Sequence, residues 1–281
     1  MTVDALTMWL TFGSCGAGFL GSLTGMGGGV VIVPLLTLGF GVDMRYAIGA
    51  SLVSVIATSS ASAATYVKDG YSNIRVGMFL EVGTTLGAVG GAALAAFMPL
   101  SVIAAVFGAV LLWSAYQATR RQEEPAFDEH PDRLSAFLRL DSSYPTPAGL
   151  QYYHVRGIPL GFLLMVTAGL LSGLLGIGSG ALKVLAMDRV MRLPYKVSTT
   201  TSNFMIGVTA AASAGLYLRR GYIDPGLAMP VMLGVLAGAM LGTRVLVGAK
   251  PRLLRLVFAL VVAALGVQML YHGLVGSFEY V

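Results

Sequence analysis

The sequence predicts an all-α polytopic membrane protein made of two inverted-topology repeats. Each repeat has about five helical segments, with Gly-rich broken or re-entrant helices. Four observations carry this prediction. The chain has 281 residues, of which 56% are apolar and 11% charged, against about 25% charged in a soluble domain. Its continuous apolar stretches repeatedly reach the ~20 residues that a helix needs to cross a bilayer, and a transmembrane barrel would show short alternating strands instead. The stretch Gly25-Met26-Gly27-Gly28-Gly29 returns as Gly176-Ile177-Gly178-Ser179-Gly180, an offset of 151 residues (25 to 176). Finally, the basic residues sort to one side of the membrane only when each repeat crosses it an odd number of times.

The offset holds without a gap on both sides of the glycines. It pairs Ala17-Gly18 with Ala168-Gly169, Ser51 with Ser202, Thr58 with Thr209, Tyr66 with Tyr217 and Gly70-Tyr71 with Gly221-Tyr222. Over positions 17 to 91 there are 21 identities in 75 pairs, and they keep Ser, Thr and Tyr in step, which marks an internal duplication.

In chain order, segment A covers about 5 to 24 and carries Gly13, Gly16, Gly18 and Gly21, which suit close helix packing. After the glycine break, segment B (about 28 to 40) is too short for a comfortable crossing. Segment C (about 46 to 67) is lined with Ser51, Ser54, Thr58, Ser59, Ser60 and Ser62. Segment D (about 76 to 97) has the ladder Gly83, Gly87, Gly91, a small-xxx-small packing face. Segment E runs from about 101 to 118. The second half repeats the plan as A′ (157–175), B′ (179–188), C′ (197–218), D′ (226–247) and E′ (253–275). The organisation is therefore repeat 1 at 1–118, a hydrophilic linker at 119–156 and an inverted repeat 2 at 157–281. Within the linker, Arg133 to Leu140 reads either as a short amphipathic helix on the bilayer surface or as ordinary connection.

An odd crossing count puts Lys68, Arg75, the bases of 119–156, Arg189, Arg192, Lys196, Arg244, Lys250, Arg252 and Arg255 on one side. Arg45, Arg219 and Arg220 lie opposite. Positive loops collect in the cytoplasm, so 119–156 is expected there, and both termini and loops 41–45 and 219–224 are expected to face outward. The chain opens with Asp4 and no base before its first apolar run, so that run is expected to be kept as a helix. Charge does not decide whether A and B cross or re-enter.

Unwound backbone at membrane depth persists only where protein or a wet cavity surrounds it. Two such breaks in inverted halves can meet near the midplane, where free N–H groups and close backbone approach suit an anion. The candidate substrate-binding residues are Gly27, Gly28, Gly29, Ser51, Gly178, Ser179, Gly180, Thr201, Ser202, Asn203 and Lys183. Each has a plain structural counterpart. Glycines can serve packing, and Ser and Thr can bond their own helix. Lys183 can snorkel to the surface near Asp188, or act within the membrane as an unusual cation. Glu81 can pair with Arg75 or serve proton coupling. No phosphate loop, paired carboxylates, metal-ligand spacing or activated nucleophile points to a pump or an enzyme. Cys15 stands alone, no cofactor is expected, and the charge pattern does not suit nucleic acid.

The stretch Gly21-Ser22-Leu23-Thr24-Gly25-Met26-Gly27-Gly28-Gly29-Val30-Val31-Ile32-Val33-Pro34-Leu35 resembles the opening motif of the TauE/SafE sulfite exporter family of bacterial membrane carriers. Gly49-Ala50-Ser51-Leu52 and Thr201-Ser202-Asn203 resemble its following small-Ser segments. The second copy departs from the pattern at Ser179, Lys183 and Leu185. The resemblance implies a secondary transporter of small sulfur-containing anions, sulfite or organosulfonates such as sulfoacetate. It would work by alternating access and be coupled to a proton or sodium gradient, and a homodimer is compatible with it. A passive anion channel on the same scaffold is the alternative.

Overall fold

The computed structural model describes residues 3–22, 28–68, 71–119, 133–146, 149–246 and 251–275. Its helices are α1 (Val3–Ser22), α2 (Gly29–Pro34), α3 (Met44–Lys68), α4 (Ile74–Leu94), α5 (Leu100–Thr119), α6 (Arg133–Leu138), α7 (Ile158–Leu175), α8 (Gly180–Leu185), α9 (Tyr195–Arg219), α10 (Pro225–Leu246) and α11 (Pro251–Val275). The expected segments agree with these bounds to within about three residues, except that segment B (28–40) takes in both α2 and the π turn that follows it. Among the described residues, α4, α5, α7, α10 and α11 contain stretches long and apolar enough to cross a membrane. The helices α3 and α9, of 25 residues each, span about 37 Å at 1.5 Å per residue. They carry the Ser and Thr residues and pack against each other at the centre.

The packing repeats the duplication with the halves exchanged. The first helix of each half packs on the fourth main helix of the other, α1 on α10 and α7 on α4. Likewise α3 meets α9, α5 meets α11, and the pairs α3–α10 and α4–α9 answer one another. The glycine ladders explain the closest pairs. A Cβ at Gly18 would collide with the Val235 carbonyl, and one at its duplicate Gly169 with the Thr84 carbonyl, 151 residues before Val235. Gly87, Gly91, Gly234 and Gly238 likewise sit against carbonyls of the facing helix. Where lipid competes with apolar side chains on equal terms, such backbone approach is what holds helices together.

Both breaks lead into short helices, α2 buried throughout and α8 buried at Gly180 and Lys183, and both helices continue as a π-helical turn. These turns are Leu35–Gly39 and Ala186–Val190, again equivalent positions. Equivalent bonds close them: the Val42 N–H donates to the Leu36 carbonyl at 3.0 Å, and the Leu193 N–H to the Met187 carbonyl at 2.9 Å. Pro34 precedes only the first turn, so proline does not cause the π geometry. The turn leaves α2 and α8 short, which is why segments B and B′ are too brief to span.

The linker holds structure that the sequence reading does not anticipate. Residues 120–132 lie outside the described residues. After α6 comes an antiparallel hairpin, β1 (Ser142–Thr146) and β2 (Gly149–Tyr153), with Ser142 opposite Tyr153. Leu140, Tyr144, Tyr153 and Val155 are buried in one cluster with Val76 and Leu80 of α4, Met187, Met191 and Val197. Asn73 ties this end together. Its Oδ1 accepts from the Val76 N–H and caps α4, while Nδ2 donates to the Leu140 carbonyl and to the Tyr153 hydroxyl, both at 2.9 Å. Burial pushes the Tyr153 phenol up to about 12, so it stays neutral. Burial alone would raise the Asp141 carboxyl. Hydrogen bonds from Ser135, His154 and the Val155 N–H outweigh it and hold the group below its ordinary value.

The opposite end is closed by arginines. The Arg220 guanidinium donates to the Ala92 carbonyl at 2.6 Å, capping α4. Arg45 lies over the Tyr222 ring, 5.6 Å from its centroid. Loops 41–45 and 219–224 therefore share one end.

Candidate functional site

The two breaks meet. Residues 23–27, Gly27 among them, lie outside the described residues; Gly28 is buried against Val235 and Gly18, and Gly29 is buried against the Gly176 carbonyl of the second break. The Ser51 hydroxyl donates across to the Gly176 carbonyl at 2.8 Å. A Cβ at Gly29 would stand 2.9 Å from Ser51 Oγ and 3.1 Å from that same carbonyl, so a side chain there would force neighbours aside. Ser202, the duplicate of Ser51, donates to the Gly180 carbonyl at 3.3 Å. The two serines thus serve backbone carbonyls at the second break, which has no bulk water to bond. Gly176 and Gly178 have φ of 69° and 72°, natural for glycine. Ser179 adopts φ 48°, a left-handed conformation that L-residues pay to enter.

A buried polar chain lies beside this break. Lys183 of α8 is fully buried, and its Nζ donates to Thr209 Oγ1 of α9. Thr209 in turn donates to Glu81 Oε1 of α4 at 2.7 Å, and Thr85 reaches the same oxygen at 3.3 Å. Side chains on a helix lean back toward its N-terminus, which carries the Lys183 ammonium to the level of the break. Thr209 is about one turn from Ile206, and a Cβ at Gly178 would lie 2.8 Å from the Ile206 side chain. Two buried atoms here have no hydrogen-bond partner, Glu81 Oε2 and Ser179 Oγ. Three helices are needed to assemble the chain, and its members come from both halves.

Toward α5 the break borders a cavity of about 10 Å³ lined by Val30, Trp113, Ser114, Ser179 and Gly180 among others. That is room for about one water.

The expected residues divide plainly. Gly28, Gly29, Ser51, Gly178, Ser179, Gly180 and Ser202 gather at the breaks, with Lys183 adjoining through α9. Thr201 faces the start of α4, where its hydroxyl accepts from the Asn73 N–H at 3.0 Å. The Asn203 carbonyl accepts from Ser59 at the α3–α9 crossing. Lys183 does not snorkel, and the carboxylate of Asp188 has Arg189 at 3.7 Å instead. Glu81 does not pair with Arg75, which donates to the Arg139 carbonyl. Ser54, Thr58 and Ser60 bond their own helix. The sequence reading gives no role to Trp113 and Ser114, since α5 is otherwise a uniform apolar run. It also gives none to Thr209, although its match with Thr58 in the duplication was a usable signal.

Comparison with known proteins agrees with this architecture. A family described as "Sulfite exporter TauE/SafE" matches residues 10–269. The chain is 27% identical over 266 residues to the probable membrane transporter protein YunE of Bacillus subtilis (strain 168), covering 92% of this chain and 95% of that protein. It is 25% identical over 228 residues to the probable membrane transporter protein YdhB of the same organism, covering 81% and 85%. A probable membrane transporter protein of Xylella fastidiosa (strain 9a5c) is 26% identical over 277 residues, covering 97% of each chain. No solved structure matches. With nearly its whole length matched and its long helices apolar enough to span a bilayer, the chain belongs to the TauE/SafE sulfite exporter family of membrane transporters.

Proposed function

We propose that this protein is a secondary carrier for small sulfur-containing anions, sulfite or organosulfonates such as sulfoacetate. It works by alternating access of two inverted repeats and draws on an ion gradient. One observation carries the proposal: Gly29 of the first break lies against the Gly176 carbonyl of the second, which also accepts from the Ser51 hydroxyl of α3, and Lys183 is buried three residues past Gly180. Backbone without side chains lets a small oxyanion approach closely, hydroxyls can replace part of its hydration, and an ammonium supplies countercharge. The helix pairs exchange between halves, so a rocking of one half against the other would pass through this junction. In our reading the linker end faces the cytoplasm and both termini the periplasm, because the bases concentrate at that end.

The rival is a passive anion channel. The small cavity and full burial of Lys183 favour a carrier, which closes over its site. Purified protein in liposomes is expected to take up labelled sulfite or sulfoacetate saturably. Ser51→Ala and Ser202→Ala should each lower uptake at least about tenfold, the loss of one hydrogen bond to a charged group, and should lower stability by roughly 1–3 kcal/mol because a buried carbonyl loses its donor. Uptake unchanged in both variants would remove the site from the breaks, and unitary currents in a planar bilayer would favour the channel.

A further inference from the structure

Glu81 and Lys183 are opposite formal charges taken out of water and joined through a single hydroxyl. No packing need explains them, since their equivalents in the duplication are Met232 and Ile32, which fill the same places without charge. Among the described residues, the surroundings leave them facing each other. The helix α7, packed on α4, contains no ionisable residue. On α9, Lys196 and Arg219 stand at the two ends, and the Tyr217 hydroxyl donates to the Gly173 carbonyl. On α8 and its π turn, Asp188 faces Arg189. Arg75, the one base of α4, donates to the Arg139 carbonyl.

We propose that Glu81 is the proton carrier of the transport cycle. The assignment rests on the carrier reading above and adds the identity of the coupling ion. In the empty site the ammonium and the carboxylate balance. A singly charged anion, hydrogensulfite or a monosulfonate such as methanesulfonate, that enters beside the second break takes the ammonium from Glu81. The released carboxylate then binds one proton from the same aqueous side, at Oε2, the oxygen that has no partner. Lys183 with the anion, plus neutral Glu81, again sums to zero. Anion and proton leave together on the other side, and the carboxylate returns to the ammonium. Either ion alone would leave an unbalanced charge in a low-dielectric interior, which is strongly disfavoured. Thr209 makes the exchange feasible: its hydroxyl has the Met205 carbonyl at 2.9 Å as a second acceptor, so it can turn from Glu81 without losing a bond.

The test uses methanesulfonate, whose charge stays constant between about pH 5 and 8, with a pH-sensitive dye inside proteoliposomes. For the unmodified protein, an inward proton gradient should drive accumulation, and about one proton should enter per anion. Glu81→Gln imitates the protonated form permanently. It should lose gradient-driven accumulation and proton entry at least tenfold, yet keep exchange of labelled for unlabelled anion within about threefold. Anion entry into unmodified vesicles without proton entry overturns the assignment and needs no variant. So does a folded Glu81→Gln protein that still couples, or one that loses exchange as well. If the unmodified protein exchanges neither methanesulfonate nor sulfite, the carrier reading falls with it. If it exchanges but follows sodium, only the proton assignment falls.

Discussion

Two alanine substitutions three residues apart on α4 should move stability in opposite directions. Gly87 faces α7, where a Cβ would lie 2.0 Å from the Val166 carbonyl oxygen and 2.9 Å from the Leu170 nitrogen. Ordinary contact begins at 3.4 Å, so the two helices must part by more than 1 Å at this point. Backbone cannot swing aside as a flexible side chain does. Gly90 faces outward, and among the described residues a Cβ there meets nothing within 4 Å. Both substitutions gain the same helix propensity, about 1 kcal/mol in a helix interior. Subtracting one variant from the other therefore removes that term and leaves packing, roughly 1–3 kcal/mol for overfilling a close contact. Gly87→Ala should fall at the upper end, because Gly91, Gly169 and Gly173 make the same kind of approach along one seam. Reversible unfolding in mixed micelles, with far-ultraviolet circular dichroism as the readout, measures the difference directly. If both variants shift stability the same way and by the same amount, the α4–α7 seam is not held by glycine contact, and the account of the fold fails at its closest interface.

Ser179→Gly should stabilise the protein by about 1 kcal/mol, since it relieves a left-handed L-residue at φ 48° without removing a hydrogen bond of the hydroxyl. A lower unfolding temperature would show that the hydroxyl does structural work. The linker should respond to acid in a defined window. The folded Asp141 carboxyl lies below its ordinary value of 3.8, so its contribution is fully present above that value and is lost as pH falls through the lower, folded one. Hydrogen-exchange protection of β1 and β2, corrected for intrinsic rates, should hold from pH 7 to about pH 5 and drop below about pH 4. Asp141→Asn should weaken it already at pH 7. Protection lost between pH 7 and 5 would point to a different group.

Most of the helical frame could be read from residue order because a membrane helix must satisfy its own backbone, so its length and apolarity are written into one continuous run. The breaks could be read for the same reason: Gly25 to Gly29 cannot be a good helix, and its return at 176 to 180 marks a shared purpose. The hairpin at 142–153 could not. Its five-residue strands alternate weakly, and what fixes it is contact with distant residues, Asn73 above all, whose partners lie 67 and 80 positions away. Trp113 and Ser114 join the cavity only because α5 turns that face toward the second break. Nothing in an apolar run says which face that is.

The ionisable chain shows where a duplication misleads and where it informs. Identity between halves picked out Ser51 and Ser202, which serve backbone carbonyls at one break. It also pairs Thr58 with Thr209, whose hydroxyls do different things: Thr58 bonds its own helix at Ser54, while Thr209 stands between an ammonium and a carboxylate. The same residue at equivalent positions acquired a new part because its neighbours changed, Ile32 answering to Lys183 and Met232 to Glu81. An apolar pair in one half and a charged pair in the other keep the same shape, so the frame tolerates either. Burying charge is costly without a partner, and each charge here is tolerable only with the other in reach. The two substitutions therefore make physical sense as a pair, and that pairing is visible only after α4 of the first half has been packed against α8 and α9 of the second.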